Sequence, residues 1–252
     1  MSKYTHLLVV ARRATEEAMK LLKGMSDHSN RVDFCDEFPR EMKASADRVL
    51  EDSILKALRP TKIGILSEES GEDENLREAE LHWIVDPLDG TVNFVRGIAS
   101  CAVSIALWRG NKPIFGVVGE YPSGIIWWGG QDFGAFTSDT RLSVSRVTNV
   151  SQAVLCTGFP SRFDFSSESM DKVLQPFIDF GKVRMLGAAS LSIMQVAKGS
   201  AEAYLERDIM IWDVAAGLAI LEGAGGKFKI SPGRFKYSYD IFANNCLIDW
   251  ER

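Results

Sequence analysis

Apolar residues recur at helical spacing in the first quarter of the chain. Residues 4–24 and 43–58 place apolar side chains three or four positions apart, and the two runs end at a glycine and just before a proline. This spacing predicts two amphipathic helices, because residues three and four apart share one face of a helix. Short apolar runs at 62–66 and 81–85 predict two buried strands.

The middle of the chain changes to β-rich runs. CAVSIALW, PIFGVVGEY and GIIWWGG are separated by residues typical of turns, which predicts antiparallel strands joined by hairpins. Farther on the pattern alternates, with helices predicted near 168–180, 191–198 and 213–223 and strands near 154–156, 183–186, 203–205, 227–230 and 241–243. A helix pair, a strand-rich middle and an alternating last part favour a layered α/β or α+β fold.

Length and composition narrow the classes of protein. The 252 residues fit one large domain or two tightly joined halves. The net charge of −5 lacks the basic surface that nucleic-acid binding requires, so no nucleic-acid partner is expected. The four cysteines form no CxxC pair, which favours free thiols and a cytoplasmic protein. The apolar run before the first two arginines is too short for a signal peptide, and the uncharged stretch 97–108 is too short to span a membrane.

The stretch VDPLDGTVNF, residues 85–94, contains several residues that could bind a ligand or take part in catalysis. Asp86 and Asp89 follow an apolar run and precede Gly90 and Thr91. Free N–H groups at a helix start bind anions, and glycine lets a ligand approach the backbone closely. The two aspartates would repel a bare phosphate, but they would attract it if they held Mg²⁺, which prefers carboxylates, waters and phosphate oxygens.

Other acidic residues lie in similar places. Glu68 and Glu69 follow a predicted strand, Asp213 stands at the start of a predicted helix, and Asp47 lies within the second predicted helix. Taken singly, the two glutamates are better interpreted as part of a solvated loop, Asp213 as an N-cap and Asp47 as part of a solvated helix face. Together they place acids at strand ends and helix starts, where ligand sites of α/β folds lie.

The chain resembles the inositol monophosphatase superfamily of metal-dependent, lithium-sensitive phosphatases. DPLDGTVNF resembles its DP-x-DGT-x-NF signature, and WDVAAGLAILEGAGG resembles its C-terminal signature. ILSEES is similar to its GEES segment, with Ser67 in place of the usual glycine, and KASAD to its loop ending in Ala-Asp. The resemblance spans nearly the whole chain. It implies a layered αβαβα sandwich of the inositol monophosphatase and fructose-1,6-bisphosphatase type, and a homodimer.

We therefore predict one phosphatase domain over residues 1–252, with an N-terminal α+β half to about residue 145 and a C-terminal α/β half from about residue 146. The resemblance implies two or three Mg²⁺ ions in each active site. The implied metal ligands are Glu69, Asp86, the carbonyl of Leu88, Asp89 and Asp213, with Asp47 helping to hold a third ion.

The resemblance also implies roles toward substrate. Catalysis is assigned to Asp89, Glu69 and Thr91, the last two of which would orient the attacking water. The N–H groups of Gly90 and Thr91 would hold the phosphate. Two further implied substrate contacts are Ala189 and Glu206.

These roles describe a Mg²⁺-dependent phosphomonoesterase that hydrolyses a small sugar or polyol phosphate, such as inositol 1-phosphate, by in-line attack of a metal-activated water. Sister enzymes act on fructose bisphosphate, histidinol phosphate or adenosine 3′,5′-bisphosphate, so these substrates stay open. A second hypothesis is a regulatory binding protein that keeps the fold and acts through partners. A purely structural protein would require every matching acid to be accidental.

Overall fold

The computed structural model describes residues 2–25, 32–34, 42–77, 80–138, 140–159, 163 and 165–250. The helices are α1 (Thr5–Met25), α2 (Ser45–Leu58), α3 (Thr91–Val95), α4 (Ser167–Asp179), α5 (Ala189–Ala197) and α6 (Ile211–Gly223), with short 3₁₀ turns at Arg59–Thr61 and Val150–Gln152. The strands of the first half are β1 (Val32–Phe34), β2 (Met42–Ala44), β3 (Gly64–Ser67), β4 (Gly71–Glu72), β5 (Leu81–Asp89), β6 (Cys101–Arg109), β7 (Lys112–Tyr121), β8 (Ile126–Gly130), β9 (Gly134–Thr137) and β10 (Thr140–Arg141). Those of the second half are β11 (Val154–Thr157), β12 (Lys182–Arg184), β13 (Ala203–Met210), β14 (Lys227–Pro232) and β15 (Ser238–Asn244).

Two large sheets organise these elements. The first has the strand order β10-β9-β8-β7-β6-β5-β3-β4, and within it β3 and β5 run parallel while the other neighbours are antiparallel. The second has the order β12-β11-β13-β15-β14, with β11 parallel to both of its neighbours. Strands β1 and β2 form a separate antiparallel pair. The β-rich middle of the sequence is therefore an antiparallel meander, as its turn residues predict.

Helices cover the sheets in layers. One face of the first sheet packs against α1 and α2, whose buried side chains include Leu22, Leu50 and Ile54. The other face packs against α6, which is buried along most of its length and shares a core with α5 and the second sheet. Phe180, at the end of α4, and Trp250 cover the far face of the second sheet. The layered α-β-α-β-α arrangement confirms the predicted fold class.

The helix predictions agree with the structure to within two residues at each end. Several strands are longer than predicted, and two of these extensions reach the site: β5 continues to Asp89 and β13 continues to Met210. Both extensions contain charged residues that resemble a loop in the sequence. Within the described ranges, none of the helices has the length and apolar character needed to cross a membrane.

Candidate active site

A β-bulge in β5 brings Asp86 and Asp89 to the same side of the first sheet. Residues three apart in a regular strand would face opposite sides. Asp86 pairs with Ser104 and Asp89 pairs with Ala102, so β5 contains one residue more than β6 over this stretch. An extra residue of this kind re-aims the side chains that follow it. As a result, both aspartates line one cavity of about 590 Å³.

Three carboxylates meet at the base of this cavity. Glu68, Asp86 and Asp213 offer ligand oxygens that all lie within 4.8 Å of one another. Asp213 lies in the first turn of α6, whose N-cap is Met210, so the alternative interpretation of Asp213 as the N-cap is wrong. We name Glu68, Asp86 and Asp213 the carboxylate cluster.

The cluster fits a divalent cation. Burial, followed by the charges of Glu68 and Asp213, raises the pKa of Asp86 well above its ordinary value. Burial and the neighbouring carboxylates raise the pKa of Asp213 in the same direction. The buried Oδ2 of Asp86 has no hydrogen-bond partner among the described residues, while its Oδ1 accepts the Leu88 N–H at 2.9 Å. A cation would neutralise this repulsion and satisfy the unpartnered oxygen, and all-carboxylate sites suit Mg²⁺, Ca²⁺ or Mn²⁺.

The structure corrects one predicted site residue. Glu68, and not Glu69, belongs to the carboxylate cluster and lines the cavity. The Glu68 N–H donates to the carbonyl of Val85 at 3.1 Å, which holds Glu68 beside the end of β5. Glu69 is one residue farther into the turn that joins β3 to β4. In the structure Glu68 therefore stands in the place that was predicted for Glu69.

The start of α5 holds Asp89 in place. Its Oδ1 accepts the Ala189 N–H at 3.2 Å, and its Oδ2 accepts the Ser190 N–H at 2.7 Å and the Ser190 hydroxyl at 2.5 Å. A carboxylate is favoured there because a helix start presents free N–H groups and the positive end of the helix dipole. Burial raises the pKa of Asp89 to about 6, against the opposing effect of the Ser190 and Ala189 hydrogen bonds. Ala189, which was predicted as a site residue, also lines the cavity. Ser190 was not among the predicted site residues.

Gly90 and Thr91 follow the bulge directly. Gly90 has a φ of +86° and precedes the short helix α3, and a Cβ at this position would lie 2.9 Å from the carbonyl oxygen of Ser100. The Thr91 hydroxyl lies 3.0 Å from the carbonyl oxygen of Leu88 and 3.3 Å from Oδ1 of Asp47. Asp47 is buried in the first turn of α2, so its interpretation as part of a solvated helix face is wrong.

Glu206 also lines the cavity. It precedes an irregularity in β13, where the pairing with β15 shifts between Glu206 and Ile209. The Tyr204 hydroxyl donates to Oε2 of Glu206 at 2.9 Å. Burial raises the pKa of Glu206 to about 8, although the hydrogen bond from Tyr204 lowers it. In the absence of a cation Glu206 is therefore largely protonated at neutral pH, and it can donate a hydrogen bond.

The cavity also contains residues that sequence reasoning missed. Phe159 and Phe165 form part of an aromatic group with Phe163, in which neighbouring ring centroids lie 5.0–5.5 Å apart. Lys236 lines the cavity and pairs with Glu72, the last residue of β4. No motif marks these residues, because they reach the site from loops that are distant in the sequence.

Most of the predicted site residues thus share one cavity. Those that line it are Asp86, Leu88, Asp89, Gly90, Thr91, Ala189, Glu206 and Asp213. Asp47 reaches the site through its contact with Thr91. A profile of the inositol monophosphatase family matches residues 3–248.

The chain belongs to the inositol monophosphatase family. It is 34% identical over 206 residues to an inositol-1-monophosphatase of Rhizobium meliloti, covering 81% of this chain and 73% of that one. It is 32% identical over 209 residues to a fructose-1,6-bisphosphatase/inositol-1-monophosphatase of Aquifex aeolicus, covering 82% of this chain and 77% of that one. The crystal structure of the extragenic suppressor protein suhB from Bartonella henselae superimposes with a TM-score of 0.83 at 29% identity, covering 96% of this chain and 95% of that one. These matches confirm the family and the fold.

Proposed function

We propose that the protein is a Mg²⁺-dependent phosphomonoesterase that hydrolyses a small sugar or polyol phosphate of the inositol 1-phosphate type. The observation that carries the proposal is the carboxylate cluster, in which Asp86 is buried beside Glu68 and Asp213 and one of its oxygens has no hydrogen-bond partner among the residues that the structure describes. Such a group costs free energy in the absence of a cation. Inositol monophosphatase family membership supports a phosphatase, and the cluster supports a metal-dependent one.

The chain offers a set of oxygen ligands for two Mg²⁺ ions, with a third near Asp47. The proposed ligands are Glu68, Asp86, the Leu88 carbonyl, Asp89 and Asp213. When bound, divalent ions stabilise charge on the phosphoryl group and lower the pKa of the attacking water.

The remaining residues hold the reactants. The N–H groups of Gly90 and Thr91 hold the phosphate next to the cluster, since they follow the bulge directly. The Thr91 hydroxyl and the Glu68 carboxylate orient the attacking water. Such positioning is most of what phosphoryl transfer requires from a protein, because little covalent chemistry is left for it.

The leaving group faces Glu206, which also lines the cavity. Glu206, with Tyr204 behind it, is placed to exchange hydrogen bonds with a substrate hydroxyl. Ala189 leaves room beside it, because its side chain is a single methyl group. Hydroxyl-rich alcohols such as inositol and sugars suit this part of the cavity.

A panel of substrates tests the proposal. Phosphate release is measured with Mg²⁺ on inositol 1-phosphate, fructose 1,6-bisphosphate, histidinol phosphate and adenosine 3′,5′-bisphosphate. We expect the highest kcat/KM on inositol 1-phosphate or a sugar phosphate. Activity on adenosine 3′,5′-bisphosphate alone would overturn the substrate class, and absence of release from all four would overturn the enzymatic function.

The substrate panel and an Asp89→Asn variant separate two alternatives. The name of the Aquifex relative favours fructose 1,6-bisphosphate as the second candidate substrate. A regulatory binding role, acting through partners, would leave a cellular phenotype intact in an Asp89→Asn variant that no longer releases phosphate.

The single domain with its two halves and the homodimer stay predictions. Analytical ultracentrifugation of the full chain checks the dimer.

A further inference from the structure

We propose that Glu51 is a positioning residue for metal binding, because it fixes the turn that carries Glu68. The inference rests on the proposed function only in taking Glu68 as a metal ligand. Glu51 lies on α2, one turn after Asp47, and its side chain is buried. No motif used in the sequence analysis includes it.

Three donors converge on one oxygen of Glu51. Its Oε1 accepts the Ser67 hydroxyl at 2.5 Å, the Ser70 N–H at 3.0 Å and the Ser70 hydroxyl at 2.8 Å. Ser67 is the last residue of β3, and Ser70 is the last residue before β4. Glu51 therefore holds both ends of the turn in which Glu68 lies.

The turn is fixed on its other side by the backbone. The Glu68 N–H donates to the Val85 carbonyl at 3.1 Å, and Ser67 pairs with Gly71 across the hairpin. With the hydrogen bonds to Glu51 added, the backbone on both sides of Glu68 has fixed partners. The direction of the Glu68 side chain toward Asp86 then follows from the position of this turn.

Helix α2 contacts the site at two places. Asp47 and Glu51 are four residues apart and so share one face of the helix. Asp47 contacts the Thr91 hydroxyl, and Glu51 contacts the turn that carries Glu68. The Ser67 hydroxyl supplies one of the three hydrogen bonds in the second of these contacts.

Groups that orient metal ligands typically change metal affinity by about 10- to 100-fold when they are removed. A merely structural buried carboxylate would change stability and leave affinity alone. The two roles therefore differ in a quantity that needs no catalysis: the affinity of the full-length protein for a metal ion.

The test measures Mn²⁺ binding by isothermal titration calorimetry, together with thermal unfolding in EDTA. The variants are Glu51→Gln and Ser67→Gly, with Glu202→Gln as a matched control. Glu202 is also buried and accepts the Ser145 hydroxyl at 2.7 Å and the Val154 N–H at 2.6 Å, but it lies just before β13 and does not line the cavity.

We expect Glu51→Gln to weaken Mn²⁺ binding by roughly tenfold or more, and Ser67→Gly to weaken it by less because Ser70 still contacts Glu51. Glu202→Gln should lose thermal stability and keep the wild-type affinity. Unchanged affinity in a folded Glu51→Gln variant, or an equal loss in Glu202→Gln, would overturn the inference. If Glu51→Gln does not fold, a Ser67→Gly/Ser70→Ala double variant decides in its place. A wild-type protein that binds Mn²⁺ but releases no phosphate would overturn the proposed function and leave this comparison valid.

Discussion

The Ser190 hydroxyl donates a 2.5 Å hydrogen bond to Oδ2 of Asp89, which connects the start of α5 to the end of β5. This contact joins α5 to the first sheet at the site. Replacing Ser190 by alanine removes one of the donors that lower the pKa of Asp89, so that pKa should rise above about 6. We expect Ser190→Ala to lower the free energy of unfolding by about 1–2 kcal/mol and metal affinity by about tenfold.

Urea unfolding and Mn²⁺ titration measure these two effects for Ser190→Ala. Thr15→Ala is the control, because the buried Thr15 hydroxyl bonds to the Ala11 carbonyl at 3.0 Å within α1. It should lose stability and keep the wild-type affinity. Wild-type Mn²⁺ affinity in Ser190→Ala would show that the hydroxyl does not orient Asp89.

Asp86→Asn should separate stability from activity. In the metal-free protein it removes a buried carboxyl group whose ionised form repels Glu68 and Asp213, and the new amide can donate to them. We expect the Tm in EDTA at pH 8 to rise, while Mg²⁺-dependent phosphate release is lost. Differential scanning fluorimetry with and without Mg²⁺ checks this, because the Tm increase caused by Mg²⁺ should also shrink. A lower Tm in EDTA would contradict the repulsion argument.

Glu206 should make the metal-free protein less stable as the pH rises. Its pKa is about 8 in the folded chain and 4.5 for an ordinary glutamate, so between these values the folded state holds a proton that the unfolded state has released. Stability contributed by this group is complete below about pH 4.5 and is lost as the pH rises through about 8. Unfolding in EDTA from pH 5 to 9 should therefore show a larger loss of stability in the wild type than in Glu206→Gln, which keeps only the losses due to the other buried carboxylates. Parallel curves for the two proteins would refute the assignment.

Gly90→Ala should lose more unfolding free energy than the positive φ of Gly90 alone would cause. At a φ of +86° its Cβ would lie 2.9 Å from the Ser100 carbonyl oxygen, so the backbone must move. Gly97 has a φ of +68° with nothing within 4 Å of an added Cβ, so Gly97→Ala isolates the conformational cost. We expect each variant to lose about 1–3 kcal/mol of unfolding free energy, with the larger loss in Gly90→Ala. Inhibition by inorganic phosphate should weaken in Gly90→Ala alone; equal inhibition in both would argue against a phosphate site here.

Tyr204→Phe should affect recognition of the leaving group. It removes the 2.9 Å hydrogen bond to Glu206 and leaves the phosphate side of the cavity unchanged. The KM for inositol 1-phosphate should rise several-fold, which corresponds to about 1 kcal/mol for a lost hydrogen bond. Phenyl phosphate, which has no alcohol hydroxyls, serves as the reference substrate. An equal change in KM for both substrates would place the role of Tyr204 elsewhere.

The fold was predicted best where burial alone decides the pattern. Helices α1 and α2 each bury one face, so their apolar spacing survives in the sequence. Strands β5 and β13 were predicted too short, because the last part of each contains charged residues of the site. Buried Asp86 and Glu206 interrupt the apolar pattern just before a register shift.

The site residues that lie in recognisable sequence motifs were predicted, and those outside such motifs were not. Two adjacent glutamates satisfy the same motif, and the hydrogen bond from the Glu68 N–H to Val85 decides between them. Glu51 and Ser190 act through contacts between elements that are distant in the sequence. Such contacts follow from packing, which no local pattern encodes.

The bulge in β5 also makes the number of residues part of the chemistry. If β5 lost the bulge but kept its length, the residues after Asp86 would shift by one position against β6, and Asp89 would turn toward the opposite face, away from α5. The sheet would survive this change, and the two carboxylates would no longer share a cavity. The bulge, and not the spacing of the two aspartates alone, therefore decides which side of the sheet Asp89 faces.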